Sequence, residues 1–382
     1  MNRTITILTI ALVGLSACTE TNLTPDAART GRQVQFITAP MKTTPTRAAT
    51  ITAFDQTRTF GSTAYAIDES KSWSSNSTEA TVTAIENKEI KYQNGVWRAW
   101  NSTTNASESY WWDDFAGKKL TFFSWYPMTF STSLVDSGSL TITNQTKTIG
   151  STVNYKDFNY PDWKVSATAG FGYTKDSDGN YIRNTSDGSV DLLLAKSVDC
   201  TEKTSSNGVV TEFCHQLCNV KFLASIADQP ENGEEWHVTK VELSGIYTQA
   251  DLVSTATQNE NRGIWSGHEV AATYTYTPSS NIDLEYTSPV TYREIFPQTL
   301  MIPQSVASSS TRTPTVTITY LDENNNTKTI SGSLATDNVT AWYAGKSITY
   351  RISISTKEYP IEFSGSVIDW KTETQEDINI GT

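Results

Sequence analysis

Apolar and polar side chains alternate in short stretches along most of this chain, and a period of two marks strands with one buried face. Gln33-Val34-Gln35-Phe36-Ile37 is the first such stretch. Strand character resumes at Ile51 to Phe54, after a Thr-rich loop from Ala39 to Ala49 that Pro40 and Pro45 keep out of any ladder. Lys88 to Tyr92 and Gly95 to Trp100 flank Asn94-Gly95, which predicts a hairpin. Leu120 to Tyr126 is mostly apolar and stops at Pro127, as an interior strand covered on both faces would. Val238 to Leu243, Thr315 to Tyr320, Ile348 to Ile354 and Ile361 to Trp370 alternate too, with a hairpin turn at Asp322 to Asn326. Between Phe213 and Phe222 both periods fit in part, so the expectation there is a strand broken by a short turn of helix. No amphipathic helix of ordinary length is evident.

From Ile51 to Cys200 the short strands are separated by Gly, Asn, Asp and Ser, the spacing of a β-sandwich. Val190 to Ala195 reads as the close of that unit, because Ser197 to Gly208 has the composition of a linker. A length of 382 residues suggests two domains. The expected division is residues 33–200 and 201–382, with strand character in the second unit resuming at Val209.

One apolar run does not alternate. Ile5 to Leu15 follows Arg3 and breaks into Leu15-Ser16-Ala17-Cys18. It is far short of the roughly 20 apolar residues of a spanning helix, and residues 1–17 have the layout of a bacterial lipoprotein signal. Cys18 is then the expected acylated first residue, and the polar, aperiodic residues 18–32 a lipidated tether.

Composition fits strands: hydrophobic residues make up 37% and aromatic residues 11%, enough for buried cores. A net charge of −12 and a pI near 4.8 argue against nucleic acid, which needs basic patches. Of the four cysteines, lipidation of Cys18 leaves an odd number, so a disulfide framework is not expected. A single Cys200–Cys214 bridge stays open. Cys214-His215-Gln216-Leu217-Cys218 lacks the ligand number and second cluster of a zinc site; these read as buried packing residues, and no metal or cofactor is expected. Tyr110-Trp111-Trp112 reads as core, with a sugar-stacking platform as the alternative. Asp176 to Asn180 starts like a calcium loop but lacks the later Glu, and reads as a turn. His215, His237 and His268 are the only histidines, and there is no nucleophile elbow or His-Glu-x-x-His pattern. No catalytic residue is assigned, although a glycosidase's carboxylate pair would leave no such signature.

Taken in order, several segments resemble the fimbrillin family of surface-fibre lipoproteins. They are Tyr92-Gln93-Asn94-Gly95-Val96-Trp97, Tyr110-Trp111-Trp112, Leu120 to Pro127 and Asp191-Leu192-Leu193-Leu194-Ala195. The set continues with Phe213 to Leu217, Val241 to Gly245, Met301-Ile302-Pro303-Gln304, Trp342 to Lys346 and Val367 to Trp370. The resemblance implies an all-β chain of two tandem transthyretin-like β-sandwich domains behind a lipoprotein signal peptide. It also implies outer-membrane attachment through the lipid, display in a cell-surface fimbrium, removal of an N-terminal strand by an arginine-specific protease, and polymerisation with other fimbrial subunits by donor-strand exchange.

Under that implication the expected cut falls between Arg47 and Ala48. Cleavage at Arg29 or Arg32 would leave the strand Gln33 to Ile37 attached, and cleavage at Arg58 would damage the next strand. Val34 and Phe36 share one face of the strand to be lost, and Ile378 and Ile380 offer the same spacing in a donor strand. The tail could instead complete the second domain's own sheet. A monomeric surface lipoprotein, or a fibre-tip adhesin binding host or bacterial glycans, is the alternative function.

Overall fold

The computed structural model describes residues 31–39, 54–76, 79–80, 82–126, 141–149, 151–164, 173–175, 181–183, 191–229, 235–253, 263–355 and 362–369. In chain order the strands of the N-terminal half are β1 (Phe36–Ala39), β2 (Thr59–Asp68), β3 (Val82–Gln93), β4 (Val96–Asn101), β5 (Ala106–Ser107), β6 (Lys118–Tyr126), β7 (Thr141–Ile149), β8 (Ser151–Lys164), β9 (Tyr173–Lys175), β10 (Tyr181–Arg183) and β11 (Leu193–Cys200). There follow β12 (Val209–Glu212), β13 (Cys214–His215), β14 (Cys218–Ile226), β15 (Trp236–Val253), β16 (Ile264–Tyr276), β17 (Ile282–Leu284), β18 (Arg293–Met301), β19 (Gln304–Ser305), β20 (Thr315–Leu321), β21 (Thr327–Ser333), β22 (Ala341–Trp342), β23 (Lys346–Ile354) and β24 (Glu362–Asp369). Single helical turns occur at Trp73–Asn76 and Trp112–Phe115.

The all-β expectation holds. A first sheet runs β12-β1-β4-β3-β2-β6-β11-β13, with β5 added beside β4. A second runs β21-β20-β15-β16-β10-β9, with β8 and β17 also on β15, and a third runs β18-β14-β23-β24. The hairpin at Asn94-Gly95 forms as expected: Gln93 pairs with Val96, and Asn94 and Gly95 have φ of 53° and 85°, the doubly positive pattern of a turn whose twist matches its strands. At the Asp322 turn, Asp322 Oδ1 accepts from the amides of Asn324 and Asn326 at 2.9 and 2.8 Å, a side-chain substitute for backbone turn bonds.

β2 and β6 are buried along nearly their whole length, as Leu120 to Tyr126 had suggested. Successive residues of a strand point to opposite faces, and here each face meets a different core. Phe122 joins Phe36, Phe60, Trp97, Val209 and Phe213 in one cluster. Phe123 joins Tyr65, Trp73, Leu192 and Leu194 in another, which continues into Phe222, Val241, Trp342 and Tyr350. Trp111 and Trp112 are 6% and 4% exposed, so the Tyr110-Trp111-Trp112 segment lies in packing rather than forming an open platform.

Pairing crosses the expected division at residue 200. Ser197 to Gly208 is a strand end followed by a turn, and β12 and β13 return to the first sheet: β12 pairs with β1, and β13 with β11. Conversely, β8 pairs with β15 and β10 with β16. The turn of helix expected between Phe213 and Phe222 does not form. Buried Gln216 instead bonds to other segments: its N–H donates to Leu192 O (2.9 Å) and its carbonyl accepts from Trp265 Nε1 (2.7 Å). With both backbone groups bonded by other segments, nothing favours a local helical turn. Cys200, Cys214 and Cys218 are free thiols, so the Cys200–Cys214 bridge is absent. Cys214 and Cys218 are packing residues, 2% and 0% exposed. The turn at Asp176 to Asn180 lies outside the described residues.

Candidate functional site

The N-terminal strand occupies an interior position in the first sheet. β1 runs parallel to β12, with Phe36 opposite Val209, Ile37 opposite Val210, Thr38 opposite Thr211 and Ala39 opposite Glu212. On its other side Phe36 lies opposite Trp97 of the antiparallel β4. The residues just before β1 are tied down as well. Val34 N–H donates to Tyr110 O at 2.7 Å, Trp112 N–H donates to Arg32 O at 3.0 Å, and Val209 N–H donates to Gln35 O at 2.7 Å.

Alternation explains which side chains enter the core. Val34 and Phe36 are 5% and 3% exposed, whereas Ile37 is 36% exposed. The Phe36 ring meets Phe60 and Phe122 edge-on, with centroids 5.9 and 5.5 Å away. Burying one such ring contributes about 1.5–3 kcal/mol. Gly208 lets the turn before β12 approach closely. It has φ +124°, and a Cβ there would lie 2.7 Å from Ile37 Cγ1 and 3.3 Å from Gln35 O.

The chain re-enters the same core at Phe54, which is 4% exposed and lies 5.6 Å from Phe60 and 4.9 Å from Phe213, centroid to centroid. The covalent link between strand β1 and the body of the sheet is therefore residues 40–53. Arg58, just before β2, donates to Tyr126 Oη at 3.0 Å and stacks over that ring. Arg32 lies before β1 and faces Glu202 at 4.0 Å. Of the residues singled out from sequence, Val34 and Phe36 are thus brought together with Phe60, Trp97, Phe122 and Phe213. Cys18, Arg47, Ala48, Ile378 and Ile380 lie outside the described residues.

Sequence reading missed the other wall of this slot. Val209, placed in a second domain, is fully buried beside Phe36. Its one local signal is apolar character immediately after Gly208, which does not reveal a partner far away in sequence.

Each histidine has a polar partner close by. His215 pairs with Asp191 where β13 meets β11, His237 Nδ1 lies 2.7 Å from Asp283 Oδ1, and His268 Nε2 donates to Pro303 O at 2.7 Å. Burial pushes the Cys218 thiol well above the ordinary thiol range and the Cys200 thiol up to about 11. Both are held away from the thiolate form that a nucleophile requires.

No curated protein matches the chain. Among solved structures, a fimbrial protein from Bacteroides vulgatus is similar with a TM-score of 0.53 at 15% identity, over 82% of this chain and 93% of that one. A candidate cell adhesion protein from Bacteroides ovatus is similar with a TM-score of 0.48 at 13% identity, over 91% of this chain and all of that one (100%). The first of these likenesses concerns the fold. The sequence profile described as fimbrillin-like matches residues 46–370, most of the chain, and so the chain belongs to the fimbrillin-like family.

Proposed function

We propose that this protein is a structural subunit of a bacterial surface fimbria, exported as an outer-membrane lipoprotein on Cys18, matured by cleavage after Arg47, and polymerised when a neighbouring subunit's strand replaces β1. The observation that carries this reading is the seat of β1 between β12 and β4. Removing that strand leaves two strand edges with unpaired backbone groups, and an apolar slot lined by Phe60, Trp97, Phe122 and Val209. Such a slot favours an incoming strand that restores the ladder and fills the alternate pockets. Cleavage after Arg47 would free the lipid and β1 together, while Phe54 stays in the core. Addition of each subunit to the next in this way does not close on itself, so it makes a fibre.

An enzyme reading has little support: each histidine is engaged in a local tie, and the family is one of fimbrial proteins. Arg47→Ala tests the proposal. The variant should retain the N-terminal segment on the cell surface and form no fibres under the electron microscope. Normal fibres from Arg47→Ala cells would refute processing at that bond.

A further inference from the structure

A face of the second sheet brings together three metal-ligating side chains. Glu235 immediately precedes β15 and His237 lies two residues on, so both side chains project to the same side. Asp283 of β17 is directly opposite His237 in the antiparallel pair. His237 Nδ1 lies 2.7 Å from Asp283 Oδ1, and one ligand atom from each of the three residues lies within 4.8 Å of the others. Trp236, between the two ligands on β15, points the opposite way. It is 4% exposed, its ring stacks on Tyr320 at 4.9 Å, and its Nε1 donates to Glu323 at 2.8 Å. That anchoring fixes the orientation of the β15 end that carries Glu235 and His237.

We infer that Glu235, His237 and Asp283 bind a divalent first-row transition cation, with Zn2+ as its representative, through one imidazole nitrogen and two carboxylate oxygens. Water completes the coordination. The donor set selects the class of ion: imidazole suits zinc, copper, iron and nickel, whereas magnesium and calcium favour oxygen ligands throughout. Charge favours the same conclusion. Glu235 and Asp283 bring two carboxylates close together, and a dication would balance both. The site is also open to solvent, since the Asp283 and His237 side chains are 53% and 29% exposed. It is not legible in sequence, because Glu-x-His is a common tripeptide and Asp283 lies 46 residues beyond His237.

Titration of the tag-free, uncleaved chain with zinc chloride in a calorimeter tests this. One equivalent should bind, and His237→Gln and Asp283→Asn should each weaken binding at least tenfold, while His268→Gln leaves it unchanged. Glu235→Gln should weaken it as well. Glu235 is exposed, so its substitution leaves the buried cores intact and reads binding rather than folding. Absence of saturable binding, or binding that persists unchanged in the Glu235, His237 and Asp283 variants, overturns the assignment.

Discussion

Phe36 stands edge-on to Phe122, ring centroids 5.5 Å apart at 85°, so a strand from the extreme N-terminal part of the fold completes the core built around β6. The contact ties the integrity of the first sheet to a segment whose covalent link to the rest of that sheet is residues 40–53.

The Phe36→Ala substitution in the uncleaved chain should therefore cost about 3–5 kcal/mol, the range for large-to-small changes in a packed core. Urea unfolding followed by tryptophan fluorescence reads it. An unchanged midpoint would mean that β1 rests on the sheet without contributing to it.

Gly208→Ala should loosen β1 selectively. A Cβ at φ +124° would both strain the backbone and meet Ile37 Cγ1 at 2.7 Å, at a cost of about 1–3 kcal/mol. Hydrogen exchange should accelerate at Ile37 and Thr38 before it does in β20 or β23. Uniform acceleration across the chain would argue against a local effect.

Tyr350 Oη accepts from Trp342 Nε1 and donates to Leu334 O, both at 2.9 Å, inside a fully buried cluster. Burial pushes its ionisation well above the ordinary tyrosine value of 10.0. The neutral form is favoured in the fold, so this contribution to stability is complete below pH 10.0 and is lost as pH rises above it, where the unfolded chain ionises first. Melting temperature should accordingly fall in the alkaline range. Tyr350→Phe should lower stability at pH 7 by about 1–3 kcal/mol, because it leaves Trp342 Nε1 and Leu334 O without this partner, and should flatten the alkaline slope. A slope identical to that of the parent would assign it to other groups.

Cys18→Ala should release the chain from the membrane fraction, since acyl chains on that thiol are the proposed anchor. Fractionation identical to that of the parent would remove the lipoprotein from the proposal.

Deletion of Glu376–Thr382 separates the two roles open to the tail. β24, the last described strand, has β23 as its one neighbour among the described strands. Strand donation predicts a folded monomer that no longer polymerises after cleavage. An unfolded C-terminal half, or undiminished polymerisation, would show that the tail serves its own sheet or nothing.

The sequence by itself determined the secondary structure class and much of its placement. Alternation at Gln33 to Ile37, the Asn94-Gly95 turn, the apolar run of β6 and the alternating β20 and β23 are local signals, fixed by which side chains face water and which turns admit positive φ. The ordered motifs were sufficient to show the resemblance to the family. Only the tertiary structure decided which strands meet. That β12 returns to pair with β1, that Phe122 and Phe123 serve two different cores, that Gln216 bonds to Leu192 and Trp265, and that Asp283 faces His237 all depend on contacts between residues far apart in the chain. Local periodicity reports the environment of a residue, whereas pairing is settled by the total burial and hydrogen bonding of the whole arrangement.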